Sequence, residues 1–83
     1  MHDQLIKFAE NIVGSLVSDP ELVKVQEFLG DEGIVQLEIM VPEDEMGAVI
    51  GKGGKMAKAL RVLIQAAAYN MDIKRVSINI DSF

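Results

Sequence analysis

Val41-Pro42-Glu43-Asp44-Glu45-Met46-Gly47-Ala48-Val49-Ile50-Gly51-Lys52-Gly53-Gly54-Lys55 is the stretch on which the fold turns. Pro42 stops whatever precedes it. Glu43, Asp44 and Glu45 suit the positive first turn of a short helix that carries Met46, Val49 and Ile50 inward. That helix ends at Gly51. Three glycines in four positions, Gly51, Gly53 and Gly54, then leave the main chain almost bare, with Lys52 and Lys55 set within that patch. Such a loop can set its N–H groups against an anion and add charge-assisted contacts.

The elements on either side follow from periodicity. Upstream, Val35, Leu37, Ile39 and Val41 alternate with Gln36, Glu38 and Met40, which predicts a half-buried strand. Gly30-Asp31-Glu32-Gly33 is a turn, and residues 22–29 read as the other arm of a hairpin. Leu5, Phe8, Ala9, Ile12, Val13, Leu16 and Val17 recur at helical spacing, so a helix is expected over about residues 3–17 with Asp3 as its cap. Downstream, Met56, Leu60, Leu63, Ile64, Ala67 and Met71 mark the buried face of a second core helix. Val76, Ile78 and Ile80 alternate with Arg75, Ser77 and Asn79 in a closing strand. The order is α-β-β-α-α-β, an α+β fold with helices on one face of a sheet.

Length and composition narrow the class. Eighty-three residues make one small domain. A chain this short buries roughly 60–65% of the surface its unfolded form exposes. The residues are 49% hydrophobic and 25% charged, which is globular. With no cysteine, disulfides and thiolate metal sites are excluded, which fits a reducing compartment. No apolar run approaches the ~20 residues of a membrane span, and the start lacks a signal peptide's layout. The expectation is a cytoplasmic protein.

The net charge of −5 argues at first against a polyanionic partner. Its distribution reverses that argument. From Met46 to Met71 there is no Asp or Glu, while Lys52, Lys55, Lys58 and Arg61 supply +4, so the remainder carries −9. One positive region on an acidic body would steer a polyanion to a single face.

Two phosphate-binding loops fail on spacing. A P-loop needs four residues between its glycines and a hydroxyl after the lysine; here three residues separate Gly47 from Gly51, and Gly53 follows Lys52. A dinucleotide fingerprint fails because no βαβ unit surrounds the glycines. A helix–loop–helix clamp on a nucleic-acid backbone remains. Gly51-Lys52-Gly53-Gly54 satisfies G-x-x-G between two helices, the device by which a KH domain holds about four backbone nucleotides. Lys55, Lys58 and Arg61, three residues apart, run along one side of the following helix.

On these residues the chain resembles the KH family. Ile-Gly-x-x-Gly at Ile50–Gly54, set between helices and flanked by the right strands, is its signature. The additional helix and strand before that core resemble the prokaryotic type II arrangement, and the size is similar to that of small stand-alone bacterial members. The resemblance covers nearly the whole chain, so residues 1–83 are expected to form one KH domain with a three-stranded mixed sheet. It implies single-stranded RNA in a groove. Ile50, Gly51, Lys52, Gly53, Gly54, Lys55, Lys58 and Arg61 would form one wall, and the sheet edge at the strand ending in Val41 the other. It also implies an RNA chaperone or post-transcriptional regulator linked to cell division and envelope growth. The partners it implies are a second copy and a larger multidomain KH protein. No cofactor or metal is expected.

Other residues have plainer readings. Gly47, mid-helix, costs ~1 kcal/mol relative to Ala and is assigned to helix packing. Three consecutive carboxylates diverge around a helix, so Glu43, Asp44 and Glu45 read as a solvated first turn. His2 is the lone histidine and is expected to fray with the terminus. Tyr69 and the three Phe are too scattered to suggest a stacking platform. No Ser/His/Asp set or reactive thiol supports catalysis. The competing class is an interaction module that dimerises or docks on protein through apolar helix faces.

Overall fold

The computed structural model describes residues 2–83. Helix α1 (Asp3–Gly14) leads into strand β1 (Lys24–Leu29), which pairs antiparallel with β2 (Val35–Val41). A short helix α2 (Met46–Ile50) and a long helix α3 (Lys55–Asn70) follow, and β3 (Val76–Ser82) closes the chain. The sheet order is β1-β2-β3, with β2 and β3 parallel. The element order and the mixed three-stranded sheet are those read from the sequence.

Alternation in β2 sets the layers. Val35, Leu37, Ile39 and Val41 are buried, and with Val25, Ile78 and Ile80 they form the inner face of the sheet. Leu5, Ala9 and Val13 of α1, Val49 of α2, and Ala57, Leu60, Ile64 and Ala68 of α3 close over that face. Among the described residues no polar side chain is fully buried. The opposite face is polar, and on it Asn79 Nδ2 donates to Glu38 Oε1 at 2.7 Å.

Several expectations are corrected. Helix α1 stops at Gly14, where the main chain crowds Pro20: a Cβ there would lie 3.2 Å from the proline's. Its start is capped by the His2 carbonyl, which accepts from the N–H groups of Leu5 and Ile6 at 3.1 Å, and not by Asp3. Strand β1 begins at Lys24 rather than Leu22, because Asp19 Oδ1 accepts from Glu21 N–H and folds Pro20–Leu22 into a 3-10 turn. In α3 the buried row is Ala57, Leu60, Ile64 and Ala68. Met56 and Leu63, expected inside, are exposed. The small alanines occupy the inner positions because α3 lies close against its neighbours.

His2 is pinned rather than frayed. Its main-chain N–H donates to Glu27 Oε1 at 2.7 Å and its Nδ1 lies 2.6 Å from Glu27 Oε2. An ionised carboxylate only accepts, so Nδ1 carries the hydrogen. Burial pushes the Glu27 pKa up, but the hydrogen bonds and charge of His2 outweigh it and hold the carboxyl below its usual value. Glu45 is also more than a solvated carboxylate. Its Oε2 accepts from Ser18 N–H at 2.7 Å and ties the segment after α1 to the turn before α2.

Candidate nucleic-acid interface

The loop between α2 and α3 is built by glycine. Gly51 adopts φ 76°, ψ 175°, a conformation open essentially to glycine alone, and a Cβ there would meet Met56 Cβ at 2.7 Å and Met56 N at 2.9 Å. Gly53 (φ 60°) and Gly54 (φ 80°) are left-handed, with open space around them. The Gly51 N–H donates to Gly47 O at 2.9 Å and closes α2. The Gly54 N–H donates to Gly51 O at 3.2 Å, and the Lys55 N–H to Lys52 O. The tight turn therefore uses two of the donors at the start of α3. At the tip of the turn, the N–H groups of Lys52 and Gly53 make no main-chain hydrogen bond among the described residues.

Around this turn the side chains separate by depth. Lys52, Lys55 and Lys58 are exposed, and so is Gly53. Gly51 and Gly54 are half-buried, and Ile50 packs against the core, so it braces the loop from behind. Arg61 is half-buried and points elsewhere: its Nε donates to the carbonyl of Ile78 in β3 at 3.4 Å. The eight residues singled out from the sequence thus lie in one continuous region, from the end of α2 to the second turn of α3.

The facing wall differs from expectation. The strand ending at Val41 is β2, which lies between β1 and β3 and offers no free edge. The open edge beside α3 belongs to β3. The Arg75 carbonyl accepts from Val35 N–H at 2.9 Å and the Phe83 N–H donates to Val41 O at 3.1 Å, so odd-numbered residues of β3 turn their main chain toward β2. By alternation Val76, Ile78, Ile80 and Ser82 turn theirs to the outside. Arg61 engages the Ile78 carbonyl, and Asp81 Oδ1 takes the Ser82 N–H at 2.8 Å. The edge is thereby partly shielded by side chains, with the groups of Ile80 between the two. Sequence alternation found this strand but not its position, which depends on long-range pairing.

A type II KH fold with a glycine-built turn between its two core helices is therefore the class of protein that this chain represents. The comparisons agree. The KhpA/KhpB KH domain family matches residues 6–80. The RNA-binding protein KhpA of Clostridium perfringens is 47% identical over 70 residues, covering 84% of this chain and 92% of its own. The proteins of that name from Clostridium acetobutylicum and Thermotoga maritima are 46% and 39% identical, each over 71 residues, or 86% of this chain and 92% and 91% of theirs. Among solved structures, Era in complex with MgGDPNP and nucleotides 1506–1542 of 16S ribosomal RNA is similar, with a TM-score of 0.65 and 18% identity over 94% of this chain. A variant of Aquifex aeolicus Era bound to GDP.AlF4- also has a TM-score of 0.65, with 17% identity over 96% of this chain. The chain spans 29% and 31% of those two Era chains, and the likeness concerns fold alone. The chain belongs to the KhpA/KhpB KH-domain family.

Proposed function

We propose that residues 1–83 act as one KH domain that binds single-stranded RNA without catalysing a reaction on it. The reading rests on one observation above all: unpaired N–H groups of Lys52 and Gly53 stand at the head of a row of cations that leads to the free edge of β3. A sugar–phosphate chain laid there meets bare amides first, then Lys55 and Lys58, with the bases turned toward Arg61 and β3. Among the described residues no cluster of His, Cys, Asp or Glu could hold a metal ion. The curated relatives are named as RNA-binding proteins, which supports the same reading here. The finer role is that of an RNA chaperone or post-transcriptional regulator, linked through the family resemblance to cell division and envelope growth. The place of action is the cytoplasm. Among the described residues no helix is long and apolar enough to cross a membrane.

The direct test is Lys52→Asp combined with Gly53→Asp. Both sites are exposed, and the left-handed backbone at Gly53 is one that aspartate tolerates. Affinity for an oligoribonucleotide should fall at least roughly hundredfold, since charge-assisted contacts of about 1.5–3 kcal/mol each are replaced by repulsion. Circular dichroism should be unchanged. Retained affinity sinks the reading.

A second reading has its own observation. Ala59, Val62 and Leu63 of α3 form an exposed apolar stripe beside Lys55 and Lys58, and Val62 and Leu63 are more than half exposed. This favours association, with a second copy or with a larger multidomain KH protein. An interaction module with weak RNA affinity would use the stripe alone. Sedimentation of the protein with and without RNA separates the two: an RNA binder shifts with RNA, a pure interaction module does not.

A further inference from the structure

The sheet has a second edge, along β1, on the side away from β3. The Gly30 N–H donates to Ile34 O at 2.7 Å, and the register pairs Phe28 with Gln36 and Gln26 with Glu38. Even-numbered residues of β1 therefore turn their main chain toward β2, and Val25, Glu27 and Leu29 turn theirs outward. Beside this edge a cleft of about 570 Å³ separates it from α1 and from the turn at Pro20–Leu22. We propose that a basic, extended segment of a protein partner docks here and adds to the sheet as a fourth strand beside β1. The proposal is independent of the reading of the loop as an RNA clamp.

Three observations support it. The first is the state of the edge. Among the described residues, neither main chain nor side chain hydrogen-bonds the outward groups of Val25, Glu27 and Leu29. The β3 edge, in contrast, is partly screened by Arg61 and Asp81. Strand β1 contains no proline, and its one lysine, Lys24, points to the outer face by alternation with buried Val25. Such an edge is a template for strand addition. The second observation is charge. Asp3 and Glu10 are seven residues apart and so share the flank of α1 that borders the cleft, and Glu21 borders it from the turn. None of the three makes an ion pair among the described residues. Lys7 lies about 60° farther round the helix. His2 occupies the Glu27 carboxylate, so the free groups on the helix side are those three acids, which select Lys or Arg and repel RNA.

The third observation is shape. Odd-numbered side chains of β1 face the helices. His2, just ahead of α1, already sits on Glu27, so no helix reaches Leu29, which is 78% exposed. In an antiparallel addition, residues opposite Val25, Glu27 and Leu29 point to the helix side, toward Asp3 and Glu10. The residues between them lie on the outer face beside Gln26 and Phe28. The segment that fits alternates cations with β-branched residues over six positions, the length of β1. Its lysine stems would cover Leu29 while their charged ends meet the carboxylates.

The test uses synthetic hexapeptides titrated into the full chain and followed by amide NMR and hydrogen exchange. They are Lys-Val-Lys-Val-Lys-Val, the same peptide N-methylated at each lysine, and Glu-Val-Glu-Val-Glu-Val. At saturation the first should slow exchange of the Val25, Glu27 and Leu29 amides roughly tenfold or more, and leave Gln26 and Phe28, already bonded to β2, unchanged. The methylated peptide keeps its charge but loses the donors that face β1, so it should bind at least roughly tenfold more weakly. The acidic peptide should not bind. Glu10→Lys with Glu21→Lys should weaken the first peptide roughly tenfold while oligoribonucleotide affinity stays within about threefold. Equal binding of the acidic or the methylated peptide overturns the proposal, and so does an absence of protection at the β1 amides with the basic peptide. Protection that appears without peptide and grows with protein concentration also overturns it, by assigning the edge to a second copy. So does protection of the edge by an oligoribonucleotide. The loop reading survives a failure of the peptide arms, because RNA affinity is measured separately.

Discussion

The two free edges of the sheet are opposites. Along β1 runs a cleft of about 570 Å³, whose charged lining residues are Glu10, Glu21 and Lys24. Along β3 the borders are Arg61, Lys74 and Arg75, with Asp81 near the strand's end, and the smaller concavity at its start contains no carboxylate. By volume alone the β1 edge would be the better site. By charge it would repel a polyanion. The comparison teaches that a chain of net negative charge can still border one strand edge mainly with cations.

Charge reversal is the strongest way to break that comparison. Lys55→Glu with Lys58→Glu should lower RNA affinity roughly hundredfold, on the order of 3 kcal/mol, because two phosphate contacts become repulsive. Both side chains are exposed, so melting temperature should hold. Glu10→Lys with Glu21→Lys at the β1 cleft should change affinity by less than about threefold. An equal response at both edges would show that only net charge matters.

Gly51→Ala probes the loop's construction with a somewhat smaller effect. The backbone at Gly51 is strained for any other residue, and the added carbon would lie 2.7 Å from Met56 Cβ and 2.9 Å from its main-chain N, so the start of α3 must shift. Denaturant unfolding should show a loss of about 2 kcal/mol. Gly53→Ala, with open space and only the left-handed penalty, should cost about 1 kcal/mol. Equal costs would mean that the turn is not built as described.

The smallest effect concerns Glu27 on the β1 side. Its pKa is lowered in the folded protein, so its contribution to stability is present above the unfolded value. That contribution is lost as pH falls through the folded value, which lies below the usual glutamate value. Acid titration of thermal stability should show a step of under about 1 kcal/mol there, absent in Glu27→Gln. A step that survives the substitution would point to another carboxylate.

How much of this was legible beforehand differs from element to element. Strand β2 was readable because one face is buried and the other solvated, which writes alternation directly into the sequence. The loop was readable because backbone geometry demanded glycine at fixed spacing. The buried face of α3 was misread because Met56 and Leu63 are larger and more apolar than Ala57 and Ala68, yet close helix packing favours small residues inside. The sheet edge was misassigned to β2 because nothing local in Val35–Val41 records that β3 pairs outside it. The contacts of His2 and Glu45 span 25 and 27 residues, which no local pattern encodes.

Amide NMR titration with a single-stranded oligoribonucleotide is the most direct test of the account. Signals of Lys52, Gly53 and Gly54 should move first and furthest, followed by Ile78 and Ile80 on the β3 edge, while Val25 and Gln26 on the β1 edge stay in place. A spectrum in which the loop amides remain still, or in which the β1 edge responds instead, would contradict it.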